Sequence, residues 1–579
     1  MSSECFEQAA RRDRTATILG IAVGAVCGLL WLLHVLLLFH SGAFWRDECS
    51  SILLSRIPTW SGVWKHMASD SFPGLFVSVL RLWIQSGLGA NDFGIRLMGI
   101  AISLGMLASV FFSCRAMQSR FPLLALSLLG LNSAVFYRGC SIRAYGLAAL
   151  LIVACFAAFW RVAVRPTRLN SGLAFLLAVL SAHCNYQNSY MLFGIGAAAA
   201  AIAAIHGNWK RSALILAMCC VAALSMAVYV PTIAHYRSEV ITSNYRLGLE
   251  MIVGTFLGTL AANGILPVLG WFAGTCMLVC AVVKRLLRTQ AASDVPGPAA
   301  GVSAIAVPRV SESPSPGLYC LLTVILAAIA GMTFFRIGGM YPYPWHYIPF
   351  VAICGMAIEC GVGCTCHGGK LWSAKIFLAG YVAAVSLPGA LHSALLRRTN
   401  MDLAVAVLEK KSEANDLILV NPFWMCPSFQ QYYHGPAPWR TVPVDPRDTL
   451  TAWQSEDFSI KNIMADPDSI RPTLDAAEKI LRGGGKVWIV GDYSPLPDGA
   501  RPPKLIPAPH PDYGWNQNAY AKVWLAHLSE FLRRHAENPE TVAVESNGSV
   551  DDLENVRVYV FQGWRNISEP PCRGNGCKP

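Results

Sequence analysis

Ile18–Phe39 is a run of apolar residues with no Asp, Glu, Lys or Arg in it. A run of that length has two stable fates, a helix across a bilayer or the interior of a large apolar assembly. Further runs follow at Ile95–Phe112, Leu123–Phe136, Ala144–Trp160, Ser171–Ala182, Tyr190–Ala204, Ala213–Val230, Ile265–Val283, Leu318–Phe335, Trp345–Cys360 and Trp372–Leu391, about eleven in all. Of the 579 residues, 54% are apolar and only 14% charged, against about 25% charged in ordinary soluble domains. This composition excludes a disordered chain, a coiled coil and a disulfide-rich secreted module, and disfavours a soluble enzyme. The pattern predicts a mainly α, polytopic transmembrane bundle.

The net charge of +11 follows topology rather than nucleic acid, because the basic residues gather at the ends of apolar runs. With the N-terminus in the cytoplasm, every even loop is basic: Arg115 and Arg120; Arg161, Arg165 and Arg168; Lys210 and Arg211; Lys284, Arg285 and Arg288; Lys370. Residues 284–316 read as a cytoplasmic linker, rich in Pro, Ser, Ala and Gly from Ser293 to Pro316. Phe72–Leu88, interrupted by Arg81, would put the following basic loops on the wrong side if it spanned. It is expected to be an amphipathic helix within a first outer loop, 40–94, and Met251–Leu260 is expected to behave similarly. An odd number of spans leaves everything after about Arg397 outside the cytoplasm of an inner (plasma) membrane. There the composition turns soluble. Leu417–Val420, Val487–Val490 and Val556–Phe561 read as strands and Leu474–Leu481 and Val523–Arg534 as helices, giving a small α/β domain over 397–579, beyond a membrane domain of 1–396.

Most chemistry-bearing residues fall in the outer loops. Phe44-Trp45-Arg46-Asp47-Glu48-Cys49 places two adjacent carboxylates at the first membrane exit. Such a pair is costly unless solvated or paired, and it suits a base that takes a proton from an acceptor hydroxyl while its neighbour orients it. Arg46, Arg81, Arg96, Arg138, Arg143 and Arg336 collect on the same side, against the usual bias, and guanidinium groups there suit phosphate. Snorkelling to lipid headgroups is the plainer reading of any one of them. Tyr145, His183 and the aromatic loop Tyr341-Pro-Tyr343-Pro-Trp345-His346 are candidates for a sugar or acceptor surface, or for an interfacial belt.

Weaker patterns fail on context. Gly483-Gly-Gly-Lys486 lacks the spacing and following Ser/Thr of a phosphate loop and precedes a strand. Asp466-Pro-Asp468 fits a turn, and Cys364-Thr-Cys366-His367 lacks a second ligand pair. Asn547-Gly-Ser549 and Asn566-Ile-Ser568 fit glycosylation acceptors, and Cys572 and Cys577 would pair in an oxidising compartment.

Four stretches taken in order carry a family resemblance. Trp45-Arg46-Asp47-Glu48 resembles the acidic motif in the first outer loop of GT-C-fold glycosyltransferases. More narrowly, it resembles the protein O-mannosyltransferase-like group, with the aminoarabinose and rhizobial galacturonosyl (Rgt-type) lipopolysaccharide transferases. Asp70-Ser-Phe-Pro73-Gly-Leu-Phe-Val-Ser-Val-Leu-Arg-Leu-Trp83 resembles their Asp-x-x-Pro-Pro-Leu-Tyr-Tyr stretch. Asn91–Leu97 with Arg96, and Arg143-Ala-Tyr145, resemble the segments that follow. Gly74 replaces the second Pro, and Phe76-Val77 the Tyr pair. The resemblance implies a GT-C-type bundle that transfers a sugar from a polyprenyl-phosphate donor to a glycan, lipid or protein acceptor. It gives Asp47 as catalytic base with Glu48 as partner, and Arg96 and Arg143, joined by Arg46 and Arg138, as donor-phosphate ligands. Asp70, Tyr145, His183 and Tyr343 fall on the acceptor or sugar side. No metal constellation stands out, although a divalent cation at Asp47/Glu48 stays open. A transporter for a lipid-linked sugar and a noncatalytic scaffold are the alternatives; the first would want internal symmetry and midplane charge, and the second would be indifferent to Asp47→Asn.

Overall fold

A computed structural model of the chain describes residues 3–70, 72–239, 248–293, 314–365, 370–444 and 460–566. Most of the linker, Cys366 and His367 of the cysteine motif, Ser568, Cys572 and Cys577 lie outside them. The chain divides into two compact units, one made of Met1–His40, Ser71–Pro231 and Tyr245–Leu395, the other of Ser41–Asp70, Thr232–Asn244 and Leu396–Pro579. Ser41–Asp70 therefore belongs with the C-terminal region, which adjacency in sequence does not reveal.

The first unit is helical, and the protein is an integral membrane protein. Among the described residues nine helices are long and apolar enough to cross a bilayer, where about eleven were expected. The two shortfalls have different causes. Leu123–Phe136 is broken into helices Leu123–Gly130 and Ser133–Gly139, because the Asn132 side chain accepts from Val135 N–H at 3.0 Å and starts a new helix. Arg168–Cys184 is one continuous helix of 17 residues, at the lower limit of a span. Residues 284–293 continue the helix Ile265–Ser293 and are not the start of a linker. Helices Leu75–Gln85 and Leu249–Leu260, 11 and 12 residues long, are too short to cross.

Ala144–Val164 lies at the centre of this unit, packed on Asp92–Ala116, Arg168–Cys184, Asn188–Ile205 and Ile348–Thr365. It is apolar on all sides, as a helix with neighbours all round must be. Small residues set the spacing elsewhere. A Cβ on Gly194 would stand 2.7 Å from the Ala327 backbone nitrogen, so helix Asn188–Ile205 meets Pro316–Gly338 at backbone contact. One charged cluster is buried here. Glu359 pairs with Lys375 and accepts from the Ser119 hydroxyl and from the N–H groups of Leu124 at 3.1 Å and Ala125 at 3.2 Å. The carboxylate thereby caps the helix that begins at Leu123.

In the second unit the strands β1 (Leu417–Asn421), β2 (Trp439–Thr441), β3 (Val487–Gly491), β4 (Asn538–Val542) and β5 (Val558–Gln562) form one sheet in the order β2-β1-β3-β5-β4. β1 is parallel to β2 and β3; β5 runs antiparallel to β3 and β4. All five residues of β1 and of β3 are buried, which requires cover on both faces. Leu417, Leu419, Val487 and Ile489 pack under helices Arg471–Arg482 and Gln517–His535, with Trp524 fully buried. The alternate residues Ile418, Val420, Trp488 and Val490 pack under Met401–Lys411 and Cys426–Tyr432. The first two strands and both helices match the expected segments, and β5 overlaps the third. β2 and β4 are additional.

Candidate functional site

The acidic pair sits in the second unit. The chain reaches it through Gly42, whose φ of +65° is a left-handed conformation, and a Cβ there would stand 2.6 Å from the Arg397 side chain. Gly42 bridges in parallel to Thr399, and the Arg398 N–H donates to Ser41 carbonyl oxygen at 2.8 Å. Phe44, fully buried, donates its N–H to the Tyr432 hydroxyl at 2.8 Å. The helix Arg46–Arg56 then begins, packed on Cys426–Tyr432, with Asp47 and Glu48 in its first turn, where the backbone N–H groups favour negative charge.

The two carboxylates have opposite surroundings. Glu48 is wholly buried. Its Oε2 accepts from Trp45 N–H at 3.3 Å, closing the helix start, and its Oε1 lies 3.4 Å from Nη1 of Arg398, itself 1% exposed. Asp47 is 30% exposed, with the Arg46 Nε 3.6 Å from its Oδ1, and the Arg46 guanidinium stands 5.6 Å from the Trp45 ring centre. One carboxylate is a structural anchor and the other is accessible to a reactant, a division set by environment. Asp70 joins them. It is buried and accepts from the Ser51 hydroxyl at 2.9 Å, and Ser51 shares a helix face with Asp47.

The remaining candidates lie in the first unit and fall into two groups. Arg143 precedes the helix Ala144–Val164, its guanidinium 4.6 Å from the Phe72 ring centre, and Phe72 meets Tyr145 edge-on at 5.1 Å. Two residues on, Gly74 N–H donates to the Tyr229 hydroxyl at 3.2 Å; that hydroxyl lies 3.0 Å from His183 Nδ1, and His183 Nε2 lies 3.0 Å from Ser225 Oγ. Since Ser225 donates onward to Ala222 carbonyl oxygen at 2.7 Å, the consistent assignment has His183 protonated on Nε2 and accepting at Nδ1. His183 thus braces the Phe72–Gly74 turn with both nitrogens engaged, a bracing position beside Arg143 and Tyr145.

Arg138 heads the second group. Its guanidinium lies over Tyr137 at 5.4 Å and over Trp345 at 5.0 Å, and Trp345 stacks on Tyr343 at 4.6 Å. Tyr343 contacts His346, which stacks on Phe335. Phe335 in turn lines an apolar cavity of about 390 Å³, together with Tyr190, Phe256, Trp271, Tyr347 and Phe350. A cation at one end of an aromatic track and an apolar hollow at the other is the layout an amphiphile with an anionic head fills. Arg96 and Arg81 are both buried, the first near the start of helix Asp92–Ala116 and the second in Leu75–Gln85. Arg336 is exposed.

Arg398, Tyr432, Glu554 and Tyr229 carry no sequence pattern. Arg398 had one available signal, a second arginine directly after the last span.

No family model matches the chain, and no curated protein matches it. Solved structures resemble it over most of its length. The structure of ArnT from Cupriavidus metallidurans bound to undecaprenyl phosphate is 11% identical, covering 93% of this chain and 97% of its own at a TM-score of 0.48. The oligosaccharyltransferase of Archaeoglobus fulgidus, in complex with Zn and sulfate, is 10% identical over 81% of this chain and 68% of its own, with a TM-score of 0.42. Mycobacterial arabinofuranosyltransferase AftD is 14% identical over 94% of this chain and 40% of its own, again at 0.42. These neighbours are GT-C-fold glycosyltransferases, the group that the sequence motifs resemble.

Proposed function

We propose that this chain is an integral-membrane glycosyltransferase that moves a sugar from a polyprenyl-phosphate donor to a hydroxyl acceptor at the extracytoplasmic face. The observation that carries the reading is the division within the acidic doublet. Glu48 is locked to Arg398 inside the fold, while Asp47, one residue away, keeps an accessible carboxylate at the positive end of its helix. That is the arrangement of a base with a fixed mount.

In this reading Asp47 takes the proton from the acceptor hydroxyl as the oxygen forms its bond to the anomeric carbon. The bond from that carbon to the phosphate oxygen breaks in the same displacement, inverting the centre. Arg96, Arg138, Arg143 and Arg46 offset the charge left on the polyprenyl phosphate. The prenyl chain suits the apolar cavity that the Arg138 track leads to. Asp70 and Tyr145 act on the acceptor side with Tyr343, and His183 holds the turn beside them. The doublet does not suit a divalent ion, because each carboxylate already faces a guanidinium and Glu48 is enclosed; no step passes through a metal.

The test is Asp47→Asn in a strain lacking the wild-type gene, with envelope glycolipids read by mass spectrometry. The expected result is loss of the gene-dependent product with normal amounts of inserted protein. Product at the wild-type level would overturn the assignment of the base. Membrane sidedness has its own check: a cysteine at position 88 should be labelled from outside and one at position 118 from the cytoplasm.

A further inference from the structure

Glu554 lies in the short turn Asp552–Glu554 that leads into β5, and its residue is 1% exposed. Its Oε2 accepts from the Arg46 main-chain N–H at 2.9 Å. Arg46 is the first residue of the doublet helix, and its side-chain Nε is the group 3.6 Å from Asp47. The turn is itself fixed. Val556 N–H donates to Asn400 Oδ1 at 2.6 Å, and Asn400 Nδ2 donates to Val556 carbonyl oxygen at 2.9 Å. Asn400 is two residues from Arg398, the partner of Glu48. Two arms from the C-terminal region thus reach the same helical turn, one on the backbone of Arg46 and one on the side chain of Glu48.

We propose that Glu554 is a positioning residue for Asp47: its carboxylate fixes the Arg46 N–H, and through Arg46 the placement and pairing of the Asp47 carboxylate. This rests on the transfer reading above for its purpose, though not for its geometry. The charged groups on the elements around Glu554 are Arg46, Asp47 and Glu48 on the doublet helix, Arg397 and Arg398 ahead of Met401–Lys411, and Asp551 and Asp552 on its own turn. Helix Cys426–Tyr432 contributes the Ser428 hydroxyl, and Thr399 contributes another. Burial raises the carboxyl to about 7, while the Arg46 N–H, the Arg46 charge and the two hydroxyls pull the other way. Burial outweighs these contacts, so the protonated carboxyl suits the closed turn better than the anion, and the clamp loosens as pH rises through neutrality.

Hydrogen–deuterium exchange on the full-length chain in lipid nanodiscs reads the clamp directly. Peptides covering residues 45–50 are followed from pH 5.5 to 8.5 after correction for intrinsic exchange. In the wild type, protection should fall by about tenfold across neutrality, because opening the turn returns the carboxyl to its ordinary, lower pKa. Glu554→Gln keeps an acceptor without the proton equilibrium, so its protection should be pH-independent at the low-pH wild-type level. Glu554→Met removes the acceptor at similar volume and should lower protection at every pH, with β1 and β3 peptides unchanged. If Met also opens β1 and β3, the Gln variant decides alone. A wild-type pH profile in Glu554→Gln, or unaltered exchange in Glu554→Met, would overturn the proposal. Glycolipid analysis separates this outcome from the fate of the transfer reading. If Asp47→Asn leaves the product intact, the reaction is misassigned even where the clamp is real. If Asp47→Asn abolishes it, Glu554→Met should reduce the product and Glu554→Gln should restore it.

Discussion

Arg398→Met is the perturbation that most directly interrogates the mount of the doublet. Methionine keeps most of the volume and removes the charge. The Arg398 N–H to Ser41 bond is a backbone contact and survives. What remains is Glu48, 0% exposed, without the guanidinium 3.4 Å from its Oε1. Removing one member of a buried ion pair costs about 3–5 kcal/mol, because the surviving charge keeps its desolvation penalty. For a unit of roughly 150–250 residues each kcal/mol moves Tm by about 2–4 °C. The expected fall is therefore about 6–20 °C in the transition of the unit that contains the doublet. The assay is thermal unfolding of the full-length protein in detergent, on wild type, Arg398→Met, Glu48→Gln and the double variant. The physical argument demands strong coupling: the double variant should recover most of the loss, since no buried charge is left over. A single-variant shift below about 2 °C, or a double-variant loss equal to the sum of the singles, would refute the claim that this pair anchors the helix.

The other expectations are simpler. Asp47→Asn should change Tm by only a degree or two while abolishing transfer, because exposed pairs of the Arg46–Asp47 kind contribute about 0–1 kcal/mol; a large Tm fall would make Asp47 structural. Since Glu554 is raised to about 7 in the fold from an ordinary value near 4.5, the folded state holds a proton that the unfolded chain has lost between those values. Its contribution to stability therefore falls as pH rises from about 4.5 to about 7, and a Tm-versus-pH series should show that component vanish in Glu554→Gln. Gly194→Leu, placed against the Ala327 backbone, should cost about 1–3 kcal/mol by overpacking; an unshifted melting transition would mean that the helices separate freely there. Finally, Lys375→Met should destabilise the membrane unit more than Glu359→Gln does. The first strands a buried carboxylate, whereas Gln can still accept from Leu124 and Ala125; comparative melting in detergent checks the order.

The membrane helices were readable because each is a local property: length and apolar content suffice, whatever the neighbours do. The interior strands β1 and β3 were readable for the same reason, as short apolar runs after turn signals. β4 (Asn-Pro-Glu-Thr-Val) and the three-residue β2 were not, since they lie at the sheet edges, where one side is unpaired and composition is unconstrained. The expected span Leu123–Phe136 failed on a local detail, the capping of a second helix by Asn132.

The candidate residues divide along the same line. Asp47 and Glu48 announced themselves as two charges at a membrane exit, and Arg138 and Arg143 as guanidinium groups where lipid would discourage them. Charge and spacing alone did not distinguish the two carboxylates of the doublet; only the family resemblance named Asp47 as base and Glu48 as partner. The physical difference between them comes from Arg398 and Glu554, which are 350 residues or more away along the chain. Apolar length and the sign of a charge are written in the sequence; which charge is enclosed and which is left open depends on what the fold brings against it.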